Sequence, residues 1–146
     1  MSSKKPWFSD TTTNDILAVS IVEPLGPISW QKLYRGFSGL KEVLKVRIDQ
    51  LVSAGLTPHQ ASALRDRPKS VEAAQHLLTT KQIKIVTLDS PDYPPLLREI
   101  NDPPLWLYCR GEKKNLQLFC LTVVGTRKPS SYALLATEKL LPEELV

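Results

Sequence analysis

Through the first 80 residues, apolar positions recur every three or four places; past residue 82 they gather into short, nearly continuous runs. The first pattern predicts amphipathic helices and the second predicts strands. Thr12-x-x-Asp15 is a capping signal that opens a first helix running to about Val22, with Ile16, Leu17 and Val19 as its apolar positions. Glu23 to Pro27 is a turn, and a second helix follows through about Phe37. Short helices are expected over Ser38–Lys45 and Ile48–Ala54, with Gly55 just past the end of the second. Thr57-Pro58-His59-Gln60 is a capping box with Pro at the first helical position, and its helix ends near Arg65. Ser70 is placed to cap the next helix, whose Val71, Ala74, Leu77 and Leu78 share a face.

The second half reads differently. Strands are expected over Ile83–Leu88 and Leu105–Cys109, with a helical turn from Tyr93-Pro94-Pro95 through Glu99 between them. Arg110 to Lys114 is a turn. Phe119 to Val124 has the continuous apolar character of a doubly buried parallel strand. A last helix runs to about Leu141, with Ala133, Ala136, Thr137 and Leu140 along one side. Small residues there favour close approach to a sheet. The expected organisation is a disordered tail over 1–9, a helical domain over 10–82 that folds independently, and an α/β unit over 83–146. The class is therefore mixed, α+β with an α/β start. Too few strands and one long helix leave the second unit incomplete, with apolar surface exposed.

The junction of the last strand and last helix carries the chemistry. Val124-Gly125-Thr126-Arg127-Lys128-Pro129-Ser130-Ser131-Tyr132 places a glycine, a basic pair and two hydroxyls at a helix start. Unpaired N–H groups at a helix N-terminus favour an anion. Gly125 permits a sharp turn and close approach of a ligand. Arg127 offers a fork of donors matched to phosphate oxygens, and Lys128 a second positive charge. The spacing is neither G-x-G-x-x-G nor G-x-x-x-x-G-K-[ST]. A plain strand-to-helix turn with a solvated Arg-Lys pair is the alternative. A second candidate is Leu25-Gly26-Pro27, a glycine turn between helices of the kind that offers backbone N–H groups to phosphate; an ordinary helix–helix turn is the competing reading.

Charge and composition narrow the class. Of the net +4, residues 1–82 carry 11 Lys/Arg against 7 Asp/Glu, while residues 83–146 carry 8 of each. That is compatible with nucleic acid. No run of about 18 apolar residues exists, and no apolar stretch follows Lys4 and Lys5. Neither a membrane span nor a signal peptide is expected, which fits a cytoplasmic location. Cys109 and Cys120 fall in expected strands and read as buried free thiols. His59 and His76 lack metal partners at ligand spacing. Asp89, Asp92 and Asp102 sit beside Ser or Pro and read as turn formers. Ser130 and Ser131 have no elbow or base and read as capping or phosphate-bonding hydroxyls. Trp106 and Tyr108 read as core, and Trp7 and Phe8 as part of a flexible tail.

One resemblance draws these segments together. Asp92-Tyr93-Pro94-Pro95-Leu96-Leu97, Asp102-Pro103-Pro104-Leu105, Leu107-Tyr108 with Gly111, and Val124-Gly125-Thr126-Arg127 with Ser130 and Tyr132 follow the order of motifs in the DprA/Smf family of DNA-processing proteins. The chain resembles that family over about residues 10 to 141. The resemblance implies a SAM-like, helix-hairpin-helix-like helical domain followed by the start of a Rossmann-like domain. It implies a non-enzymatic role in natural transformation: binding incoming single-stranded DNA and loading the recombinase RecA onto it, as a homodimer and without a cofactor. Gly125, Thr126, Arg127, Lys128, Ser130 and Ser131 become the expected phosphate contacts, with Leu25 and Gly26 a possible second one.

Two departures bear on that. Ala133 stands where the family usually has Gly, a mild change. The family's later S-G-x-A-x-G-[IV]-D segment does not occur in these 146 residues. This reads as a truncation, with weakened DNA binding, a doubtful homodimer and no productive RecA loading expected. The rival functions are a fragment of a Rossmann-like nucleotide or phosphosugar enzyme, and a stand-alone helical module that binds DNA or protein.

Overall fold

A computed structural model of the chain describes residues 6–118 and 123–141. Six helices come first: α1 (Thr13–Ser20), α2 (Pro27–Gly36), α3 (Leu40–Val43), α4 (Ile48–Ser53), α5 (Pro58–Arg65) and α6 (Glu72–Thr80). Then follow β1 (Ile83–Thr87), α7 (Pro95–Arg98), β2 (Trp106–Arg110), a 3-10 turn at Lys113–Gln117, and α8 (Ser131–Leu140). The strands form a two-stranded antiparallel sheet in which Ile83 faces Arg110 and Thr87 faces Trp106. The fold is thus a mixed one of helices and a small sheet.

Local rules account for several of the helix ends. Thr12 and Asp15 form a reciprocal capping box at α1, and Thr57 and Gln60 form another at α5, where Pro58 supplies a preset φ. Gly55 ends α4 with φ +99, while its N–H donates to Val52 O and that of Leu56 to Leu51 O, closing the helix as a Schellman motif. Ser70 does not cap α6. Val71 takes that place without a side-chain cap, because its own side chain is buried against Leu17 and Ala18. Leu77, expected on the buried face, is exposed.

Asp15 does more than cap. Lys41 Nζ lies 2.7 Å from its Oδ2, tying α1 to α3. Burial pushes the Asp15 carboxyl up, but hydrogen bonds from Lys41 and Thr12 outweigh it and hold the group below its ordinary value. A carboxyl depressed in the folded state contributes stability above its unfolded pKa of about 3.9 and loses it as pH falls through the lower folded value. Asp15→Asn is therefore expected to cost stability at neutral pH, with the gap to wild type closing below about pH 4. Paired acid-unfolding curves check this; a gap that widens toward acid would refute it.

The core runs across position 82. Val19, Leu25, Trp30, Leu33, Leu40, Val43, Leu51 and Leu64 from the helices share one buried cluster with Val86, Leu88, Tyr93 and Leu105. Trp30 and Trp106 meet edge to face, with ring centroids 5.1 Å apart. Buried Gln31 donates from Nε2 to Pro103 O at 2.5 Å. Helix gives way to strand near residue 82, and the packing continues across that point.

Trp7 and Phe8 are not a flexible tail. Both are buried, at 4% and 8% exposure. Trp7 Nε1 donates to Phe37 O at 3.1 Å, its carbonyl accepts from Leu40 N at 3.2 Å, and its ring packs on Phe8 and Tyr34. Phe8 N donates to Asp89 Oδ2 at 3.0 Å. Two large aromatic surfaces are worth more buried than solvated, whatever the lysines before them.

The expected strand Phe119–Val124 falls partly outside the described residues, as does Cys120. Its last two members, Val123 and Val124, are irregular and exposed. No residue of α8 is buried; Tyr132, Leu134, Leu135 and Leu140 all face solvent. The side expected to pack closely on a sheet finds no such cover among the described residues.

Candidate functional site

The segment 125–131 forms the mouth of α8. Ser130 adopts an extended conformation at the N-cap, and its Oγ accepts from Ala133 N at 3.3 Å. Thr126 Oγ1 donates to Lys128 O at 2.9 Å, folding the loop back on itself just before the helix. Gly125 is not left-handed, since the positive-φ glycines among the described residues are Gly55 and Gly111. A Cβ added at Gly125 would meet nothing within 4 Å. The residue contributes open space here rather than a strained turn.

Gly125, Thr126, Lys128 and Ser130 line one groove of about 600 Å³, whose far wall is Val123, Ala133, Leu134 and Thr137. Arg127 and Ser131 are exposed and stand outside that lining. The structure therefore brings four of the six expected residues to one groove. The groove thus sets the positive end of the α8 dipole beside Lys128.

The second candidate is divided. Leu25 is buried, and its N–H is committed to Val22 O at 3.1 Å. Gly26 is exposed at the N-cap of α2, with no side-chain cap and nothing within 4 Å of a Cβ placed on it. Trp30, Trp106 and Tyr108 line a pocket of about 220 Å³ beside this turn. Tyr108, expected in the core, is 46% exposed there.

The proline motifs upstream are structural. Tyr93 is fully buried, its hydroxyl donates to Pro104 O at 2.8 Å, and burial pushes its phenol up against the opposing pull of Arg98. Arg98 reaches the carbonyls of Leu88 and Ser90. Asp92 accepts from Lys113 Nζ at 3.1 Å. Asp89 sits in the expected turn, closed by Ser90 N to Thr87 O at 2.8 Å, and also accepts from Phe8 N. Y-P-P and D-P-P thus knit the connection between β1 and β2. His59 and His76 are exposed, Cys109 is a half-buried free thiol, and no cluster of His, Cys, Asp or Glu among the described residues is arranged to hold a metal. No described helix is long and apolar enough to cross a membrane.

Known proteins match the same stretch. The family of DNA recombination-mediator protein A matches residues 84–145, from β1 through the loop and α8. Protein Smf of Escherichia coli (strain K12) is 37% identical over 83 residues, covering 56% of this chain and 22% of its own. Protein Smf of Borreliella burgdorferi is 36% identical over 62 residues, covering 42% of this chain and 20% of its own. The chain spans about a fifth of the length of these curated relatives. No solved structure matches it. Over residues 84–145, the segment that holds the Y-P-P, D-P-P and V-G-T-R motifs, the chain is similar to the family of DNA recombination-mediator protein A.

Proposed function

We propose that this chain handles single-stranded DNA in recombination, as a binding protein rather than an enzyme, with the loop 125–131 as a phosphate contact. The observation that carries this is the coincidence of the family match with an exposed basic loop at a capped helix N-terminus. In this reading Ser130 fixes the start of α8, so its first N–H groups converge with Lys128 on the groove. Arg127 closes on the same phosphate from outside. Gly125 keeps the approach clear, and Gly26 at the head of α2 is a further backbone contact. The helical layer corresponds to a SAM-like unit and residues from 83 onward to the start of a Rossmann-like one. RecA is the expected partner in recombination, and a homodimer the expected assembly, both by resemblance to the family. A nucleotide or phosphosugar enzyme is not favoured, since the family match points to a mediator of DNA recombination.

The test is a salt titration of binding to a single-stranded oligonucleotide. Removing one cation that neutralises a phosphate lowers the slope of log K against log salt by about 0.7 for a single strand. Arg127→Ala is expected to lower it by about that amount and to weaken binding at every sequence alike. An unchanged slope and affinity would remove the loop from the site.

A further inference from the structure

The net charge is concentrated more tightly than the division into halves reveals. Residues 30–70 carry 8 Lys/Arg and 3 Asp/Glu; the rest of the chain carries 11 and 12. One stretch, α2 to just past α5, thus holds the whole excess of positive charge. Its three carboxylates are engaged locally. Glu42 accepts from the backbone and hydroxyl of Ser38, Asp49 pairs with Arg47 at 3.1 Å, and Asp66 accepts from the Ser62 hydroxyl.

The fold then draws cations together. Arg65, at the end of α5, reaches back to donate to Leu44 O at 2.7 Å and to Val43 O at 3.4 Å. It caps α3 and lies beside Lys45, the next residue along. Arg67 is anchored by a bond to Leu64 O, close enough that its charge lowers the pKa of Arg65 in addition to the larger effect of burial. Lys45 is exposed and has no ion-pair partner among the described residues. Like charges repel in this arrangement, so it costs stability unless an anion settles over it. Lys45 lies in the turn after α3 and Arg67 just past the end of α5.

We propose that Lys45 and Arg67, positioned by Arg65, form a second phosphate-contacting face for single-stranded DNA, on elements other than the α8 loop. The inference rests on the reading that this chain handles DNA. A polyanion with regularly spaced charges suits cations that contact phosphates rather than base edges. The face contributes affinity and register without sequence preference.

The experiment is the same salt titration on the full chain, with a single-stranded oligonucleotide as probe. Lys45→Gln/Arg67→Gln is expected to lower the slope by about 1.4, for two phosphates. The pair Lys81→Gln/Lys84→Gln, which removes equal charge from the exposed end of α6 and β1, is expected to leave the slope near wild type. Lys45→Arg/Arg67→Lys is expected to keep it too. Circular dichroism reports on folding, and Lys45→Gln alone, which breaks no internal bond, serves if Arg67→Gln unfolds. An equal fall in the Lys81/Lys84 pair would overturn the face in favour of net charge. So would a loss of polyglutamate binding with oligonucleotide binding intact. A fall for Arg127→Ala alone would remove the helical face and leave the loop; a fall for Lys45/Arg67 alone would do the reverse.

Discussion

Trp7→Ala is expected to destabilise the chain by about 3–5 kcal/mol, the usual cost of removing a large buried aromatic ring. The ring is 4% exposed, packs edge to face on Phe8 at 4.9 Å, and lies 5.5 Å from Tyr34. Its indole N–H is the partner of Phe37 O, where α2 ends. Truncation leaves that carbonyl to find water and opens a void beside Phe8 and Tyr34. Urea unfolding followed by far-UV circular dichroism measures the effect. A loss below about 1 kcal/mol would mean that the first turn contributes no core.

A fragment ending at Gln82 is expected to unfold at much lower urea than the whole chain. Cutting there removes Trp106 from Trp30 and Leu105 from the shared cluster. It also leaves the Gln31 amide and the Phe8 N–H without Pro103 O and Asp89. Each large side chain returned to water costs about 1.5–3 kcal/mol, and each buried polar group left unpaired about 1–3 kcal/mol. Those losses compare with the roughly 5–15 kcal/mol typical of a whole domain. Equal midpoints for fragment and whole chain would show that the helices stand alone, as their caps and periodicity by themselves lead one to expect.

What the sequence made legible is what neighbours in sequence decide. Thr12 with Asp15, Thr57 with Gln60, and Gly55 after α4 act within one turn, and each stands where expected. The same holds for Ser130, whose hydroxyl caps α8 three residues on. The misses depend on distant partners. Trp7 bonds across 30 residues and Phe8 across 81, while locally they follow two lysines and look like a tail. Ser70 lost its cap to Val71 because burial against α1 outweighs one hydrogen bond. The basic face needs Arg65 to fold back over 21 residues onto α3, so halves of the chain counted by charge could not reveal it. A running sum of charge over windows of about 40 residues does carry a trace of it.

The bond from Phe8 to Asp89 also sets a timetable. Contacts of high sequence separation form late, because a long loop must close before they return any energy. On a ribosome adding about 5–20 residues per second, the 81 residues between the two partners take about 4–16 s to make. For that interval Phe8 is synthesised but lacks the carboxylate that fastens it. Helices α1 to α5 can assemble meanwhile, and Trp7 can meet Phe37 and Leu40, while the Phe8 N–H waits for Asp89. Newly made chains therefore carry Phe8 unfastened for seconds, its apolar ring open to other surfaces until the Asp89 carboxylate arrives.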